Sequence, residues 1–196
     1  MKKTWMIFLA CFFCILFICG CTEKAADADP NETSVKVLEE NTHYKLMQIG
    51  YGYAYEIYDS DGNVIDAKEF MDREPRITMI NDHLLQWITQ AGTGTATNWG
   101  YYFDYSGNQK SQVFQCIYDA SDTLVCHGGG SPGVLVVENI FDKAQYELEI
   151  RAFAHDFSPA AEPILSAVFS EDSTKLTVTY LSGEDYEEVT EIFDLR

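Results

Sequence analysis

A recurring strand phrase narrows what this chain can fold into more than any other feature. "AYEIYDSDG" from Ala54, "GYYFDYSG" from Gly100, "ENIFDKA" from Glu138 and "TEIFDLR" from Thr190 each run apolar residues into an aspartate, namely Asp59, Asp104, Asp142 and Asp194. Ahead of the last three stand hairpin-like segments, "ITMINDHLLQWITQ", "FQCIYDASDTLVCH" and "LSAVFSEDSTKLTVTY". Leu85 precedes Phe103 by 18 residues, Leu124 precedes Phe141 by 17, and Leu176 precedes Phe193 by 17. A fixed hairpin-to-phrase distance implies a repeated unit of strand, tight turn, strand, Gly-rich loop, strand. After residue 34 no stretch sustains a 3.6-residue apolar period with caps. β-Branched and aromatic runs bounded by Gly, Asp, Ser and Asn recur instead. The expected fold class is therefore all-β, built from antiparallel meander units of three to four strands. "YELEIRAFAH" reads as an extra strand ahead of the last unit, and "QKSQVFQCIYD" leaves little room for one.

The phrase "FSEDSTKLTVTY" resembles the "FSPDGKKLAV" hairpin of TolB-like and WD40-type propeller blades. The resemblance covers about residues 43–196 and implies a propeller-like domain of about four blades, without the blade tryptophan or the WD dipeptide. A β-sandwich or a curled single meander is the alternative architecture.

The N-terminus sets a different constraint. Lys2 and Lys3 precede an apolar run from Trp5 to Cys19, too short for a comfortable spanning helix and flanked like an export signal. Its end, Ile18-Cys19-Gly20-Cys21, resembles the lipobox of bacterial lipoproteins. That resemblance implies lipidation of Cys21, cleavage before it, and a protein held on the extracytoplasmic side of the cell membrane; an uncleaved signal anchor is the competing reading. Acyl chains contribute about 0.8 kcal/mol per buried CH₂, so two or three of them anchor stably. The expected organisation is a signal peptide over 1–20, a lipidated tether over 21–34 ("TEKAADADPNETS" being polar, acidic and Pro-containing), and an all-β repeat domain over 35–196.

The whole chain carries 13 basic and 31 acidic residues, and loss of Lys2 and Lys3 with the signal makes the mature chain more acidic still. Such a surface excludes nucleic acid as a partner and is repelled by anionic headgroups, so attachment falls to lipid rather than to a basic patch. About 175 residues remain, enough for one domain with a sizeable core. Cys116 and Cys126 are the cysteines left beyond the signal and Cys21. In a hairpin centred on Ser121 they face one another, so they are either a disulfide or two small buried thiols.

Catalytic patterns are tempting in places and fail on mechanics. "HGGGSPG", from His127 to Gly133, overlaps a G-x-S-x-G expression on Ser131 with an esterase-like oxyanion phrase. A nucleophile elbow needs a following helix, but "VLVVENIF" is strand-like, and Pro132 lacks the N–H that an oxyanion hole would use. A phosphate loop fails for want of the lysine and the helix. "DSDGN", Asp59 to Asn63, is first a type I′ hairpin signal and only then a calcium-like loop, since its glycine falls at the wrong place and no glutamate closes it. Glu184, Asp185, Glu187 and Glu188 read as a solvated hairpin edge. His43, His83, His127 and His155 show no metal-ligand spacing. No catalytic set, metal set or cofactor motif is therefore assigned.

The loops between the second and third strands of each unit, "AGTGTATNWG" (91–100), "GGGSPG" (128–133) and "SGED" (182–185), would share one rim of a propeller. Trp99, with Tyr101, Asn98 and Ser131, forms the candidate binding rim, although Trp99 could equally pack in the core. The function expected is that of a membrane-anchored extracytoplasmic binding or interaction lipoprotein with an unknown protein or small-molecule partner. The alternative is an extracytoplasmic, hydrolase-like enzyme with dispersed active-site residues.

Overall fold

A computed structural model describes residues 34–90, 98–131, 133–151, 163–183 and 185–195. Its strands fall into four successive antiparallel sheets, each a simple meander. The first holds β1 (Val35–Glu40), β2 (Tyr44–Ile49), β3 (Gly52–Tyr58) and β4 (Val64–Met71). The second holds β5 (Arg76–Met79), β6 (Leu84–Gln90) and β7 (Asn98–Asp104), with the short β8 (Gln109–Lys110) and β9 (Phe114–Gln115) both pairing with β7. The third runs β10 (Ile117–Ala120), β11 (Leu124–Gly128), β12 (Leu135–Asn139) and β13 (Glu147–Ile150). The fourth runs β14 (Ile164–Phe169), β15 (Lys175–Ser182) and β16 (Glu187–Asp194). The domain is all-β and propeller-like: four blade-like meanders, each aspartate phrase on or just after the third strand of its sheet.

Alternation along each strand sends one set of side chains to each sheet face, and successive sheets pack on these faces through three apolar cores. Tyr44, Leu46, Tyr55 and Ile57 of the first sheet meet Leu85, Trp87 and Phe103 of the second. Leu84, Ile88, Tyr102 and Phe114 of the second meet Ile117, Val125 and Ile140 of the third. Cys126, Leu135, Val137 and Ile150 of the third meet Ala167, Leu176, Val178 and Tyr180 of the fourth. Among the described residues no core joins the fourth sheet to the first. Gly100 serves the middle junction, because a Cβ there would collide with Ile117.

The turns repeat as strictly as the cores. The turn before each second strand is closed by a side-chain oxygen that accepts backbone N–H groups. Asn41 Oδ1 accepts from His43 and Tyr44, Asn81 Oδ1 from His83 and Leu84, Ser121 Oγ from Leu124, and Ser170 Oγ from Thr174 and Lys175. A carbonyl in each of these turns then accepts from the third strand's exit: His43 from Tyr58, His83 from Tyr105, Thr123 from Ile140 and Thr174 from Leu195.

The structure corrects four local expectations. "YELEI" is β13, the last strand of the third sheet rather than the first of the fourth. Leu85 and Leu176 do pair with Phe103 and Phe193, but Leu124 pairs with Asn139. Asn139 Oδ1 accepts from the amides of Phe141 and Asp142 and turns the chain before Phe141 can join the ladder. The Asp59 loop is not a two-residue I′ turn. It spans residues 59–63, with Gly62 (φ 82°) in the left-handed region and Asp59 Oδ1 accepting from the amides of Asp61 and Asn63. The Cys116/Cys126 hairpin turns at Ser121–Leu124, not about Ser121, and a bulge follows Ile117. Cys126 therefore lies opposite Asp119, while the carbonyl of Cys116 (φ 55°) accepts from the Gly128 amide. The two cysteines are not joined to one another in this structure.

Candidate functional site

Two polar constellations stand between the sheets. The first is built on Asp66 in β4, whose Oδ2 accepts from Tyr55 Oη and from Trp87 Nε1, each at 2.9 Å. Its Oδ1 lies 3.4 Å from Lys110 Nζ. The Lys110 ammonium also sits 4.6 Å from the centre of the Tyr101 ring and 5.3 Å from that of Trp87, and these two rings stack at 5.4 Å. Desolvation first, and the Asp66 charge second, push the Tyr55 phenol well above its ordinary value. With its donors and cation spoken for, this cluster is a staple between the first and second sheets.

The second constellation is His127 with Glu138, on neighbouring strands β11 and β12. His127 Nδ1 is 3.0 Å from the Gly128 carbonyl oxygen, and Nε2 is 3.0 Å from Glu138 Oε1. Both ring nitrogens thus lie at hydrogen-bond distance from oxygen atoms. Glu138 is only 2% exposed; its Oε1 also accepts from Gln112 Nε2, and Lys143 Nζ lies 3.8 Å from Oε2. This pair holds the entry to the Gly-rich loop, where Gly129 N–H donates to Val134 O and Val134 N–H to Ser131 O.

The open space lies elsewhere. Where β4 gives way to the link toward β5, and where β6 and β7 reach the same end of the second sheet, a cavity of about 530 Å³ forms. Lys68, Phe70, Met71, Asp72 and Arg73 line it from the first side, and Thr89, Gln90 and Trp99 from the second. Cross-strand pairing places Thr89 opposite Trp99, and Thr89 Oγ1 donates to the Trp99 carbonyl. Trp99 is half-buried and lines the cavity. Among the described residues neither Lys68 nor Arg73 has a carboxylate within ion-pair distance. Two cations, one carboxylate and an indole thus line one cavity on a chain of formal charge −18.

The candidate rim residues separate. Trp99 lines the cavity. Tyr101 belongs to the Trp87 stack beneath Lys110. Asn98 is a clamp, since Oδ1 accepts from the Ile117 amide, Nδ2 donates to the Ile117 carbonyl, and its own carbonyl accepts from the Cys116 amide. Ser131 is exposed on its own loop. Cys21, His155 and Glu184 lie outside the described residues. Lys68, Arg73, Thr89 and Gln90 went unnoticed in sequence, although the placement of a lysine and an arginine around "EFMD" within so acidic a chain was a usable signal.

No family model matches the sequence, and no curated protein matches it. Solved structures of similar shape include Hsv2 from Kluyveromyces marxianus, with 12% identity and a TM-score of 0.46 over 83% of this chain and 48% of that one. They also include Hsv2 from Kluyveromyces lactis, with 10% identity and a TM-score of 0.30 over 83% of this chain and 73% of that one. The chain thus spans about half the length of the K. marxianus protein it is matched to.

Proposed function

We propose that this is a lipid-anchored extracytoplasmic binding protein whose ligand occupies the Trp99 cleft. The observation that carries the reading is the cavity of about 530 Å³ between the first two sheets, lined by Trp99, Lys68 and Arg73 together with Asp72, neither cation being in an ion pair among the described residues. The anchor rests on Cys21 and the lipobox-like phrase before it. The acidic tether would hold the repeat domain clear of the headgroups. In this reading the indole supplies a flat apolar contact, Lys68 and Arg73 supply charge, and Thr89 and Gln90 supply polar edges.

The anchor is tested by Cys21→Ala. That chain should leave the detergent phase on temperature-induced partitioning and lose incorporation of a labelled fatty acid, and unchanged partitioning would sink the claim. The cleft is tested by Trp99→Ala and Arg73→Ala, which should abolish ligand capture while leaving the thermal transition within a few degrees of the parent's.

A further inference from the structure

We infer, taking the Trp99 cleft as the binding site, that its ligand is a single-chain amphiphile: an anionic head seats in the cavity, and a hydrocarbon tail leaves across Phe70 onto the outer face of the first sheet. Phe70 joins the two surfaces. It lines the cavity, yet its ring lies over Gly52, where a Cβ would overlap it, and it meets Tyr51 edge-on at 5.6 Å. Gly52 and Ala54 alternate along β3 with Tyr53, Tyr55 and Ile57, which pack toward the second sheet, so they belong to the face turned away from it.

Register carries an apolar surface from Phe70 across that outer face. Val35 pairs with Ile49 and Ile49 with Gly52, in a row that ends beneath the Phe70 ring. The next row on the same face is Val37, Met47 and Ala54. Val35, Val37 and Phe70 are exposed, as is Tyr51, at 86%. These rows occupy the end of the sheet where Met71, opposite Tyr53, lines the cavity. The rest of the face is mixed: Lys45 is in an ion pair with Glu40, Glu56 accepts from Tyr58 Oη, and Ala67 and Val64 follow on β4. The apolar track is thus continuous with the cavity at one end and gives way to charge at the other.

A contiguous exposed apolar strip marks a place where something apolar is held. The cavity it runs into presents two cations, Lys68 and Arg73, against one carboxylate, Asp72, and neither cation is in an ion pair among the described residues. Glu69, exposed beside Phe70 on β4, disfavours an anion on the track itself and so directs the charged end inward. Four strands about 4.8 Å apart span about 14 Å, the length of an unbranched chain of about eleven carbons. Each CH₂ laid on the track is covered on one side, so lengthening the tail should tighten binding about twofold per carbon up to that length and little beyond it.

The test uses the full-length chain in phosphatidylcholine nanodiscs and a dodecanoate carrying a diazirine at the tail end as the photoreactive probe. Labelled peptides are identified by mass spectrometry, and affinities are read by competition with straight-chain carboxylates of increasing length, plotted against free aqueous concentration. The label should fall on peptides containing Tyr51 or Val35 to Val37, competition should strengthen with chain length and level off near eleven carbons, and dodecanol should compete at least tenfold more weakly than dodecanoate. Lys68→Ala should erase the preference for the acid over the alcohol. Tyr51→Ala, at an exposed turn where truncation leaves the core intact, should weaken dodecanoate about fivefold. A label confined to the cavity with no gain along the carboxylate series would overturn the amphiphile and leave the cleft to a ligand without a tail. A label on the track that dodecanol competes as well as dodecanoate, unchanged in Lys68→Ala, would mean contact with the bilayer and would overturn it too. Labelling no stronger than that of the heat-unfolded chain would be equally fatal. Trp99→Ala that labels as the parent does would instead remove the cleft as the binding site.

Discussion

Asp66 shows how one carboxylate can fix the relation of two sheets. Tyr55, Trp87 and Lys110 all converge on it, and the stacked Trp87 and Tyr101 rings shelter the pair. Glu138 has a comparable role at the next junction, more deeply buried and tied to His127 and Gln112. Removing one member of a buried pair strands the other, so Glu138→Ala should cost about 3 kcal/mol in urea unfolding. His127→Ala should cost a similar amount, and the double variant distinctly less than the sum. At the same scale, burial pushes the Cys126 thiol far above its ordinary value. A thiol reagent at neutral pH should therefore leave Cys126 unmodified in native protein, and two thiols should titrate once the mature chain is denatured. None of these partnerships is written in local sequence. His127 and Glu138 are 11 residues apart with a Gly-rich loop between them, and Asp66 and Trp87 belong to different sheets. Only the strand register brings them together.

At the scale of elements, the hairpins were legible because the repeat is a register. Leu85 does face Phe103 and Leu176 does face Phe193, so in two of the three units the sequence distance is the ladder register, while in the third Leu124 faces Asn139. The assignment of β13 was not legible, since a strand carries no local mark of which neighbour it will pair with. The side-chain caps Asn41, Asn81, Ser121 and Ser170 make a second repeat, obscured because Asn and Ser share a role without sharing a letter. Asn81 also donates from Nδ2 to Asp122 Oδ1 across the second junction. Asn81→Ala should accordingly destabilise the domain by about 1–2 kcal/mol in denaturant melts. Gly100→Ala should cost about 1–3 kcal/mol by forcing Ile117 off its seat.

The tyrosines that pack these elements also set an alkaline limit. Burial pushes Tyr44 and Tyr105 up to about 12, and Tyr58, whose hydroxyl donates to Glu56 Oε2, rises to about 12 as well. In the unfolded chain a phenol ionises near 10. The neutral form is thus favoured by the fold, so its contribution is intact below about pH 10 and is lost as pH rises through about 12. Thermal melts should hold steady up to about pH 10 and fall steeply above it, with Tyr105→Phe blunting the fall.

On the scale of the whole molecule, three apolar junctions hold four sheets in a row. The whole chain carries a formal charge of −18. The fold class and the number of repeats were readable from the aspartate phrases. The cleft was readable only through Trp99, because Lys68 and Arg73 reach it from a neighbouring sheet whose placement depends on the Trp87 and Asp66 contacts. What the molecule adds to its components is a hollow lined by Trp99, Lys68, Arg73 and Asp72 on an acidic body. The most direct test of that account is chemical cross-linking on intact cells that express the full-length chain. The parent should give a membrane-associated adduct whose mass differs from that of the chain or its dimer; Trp99→Ala should lose it and Ser131→Ala should keep it. The same adduct formed undiminished by Trp99→Ala would contradict the cleft as the binding site.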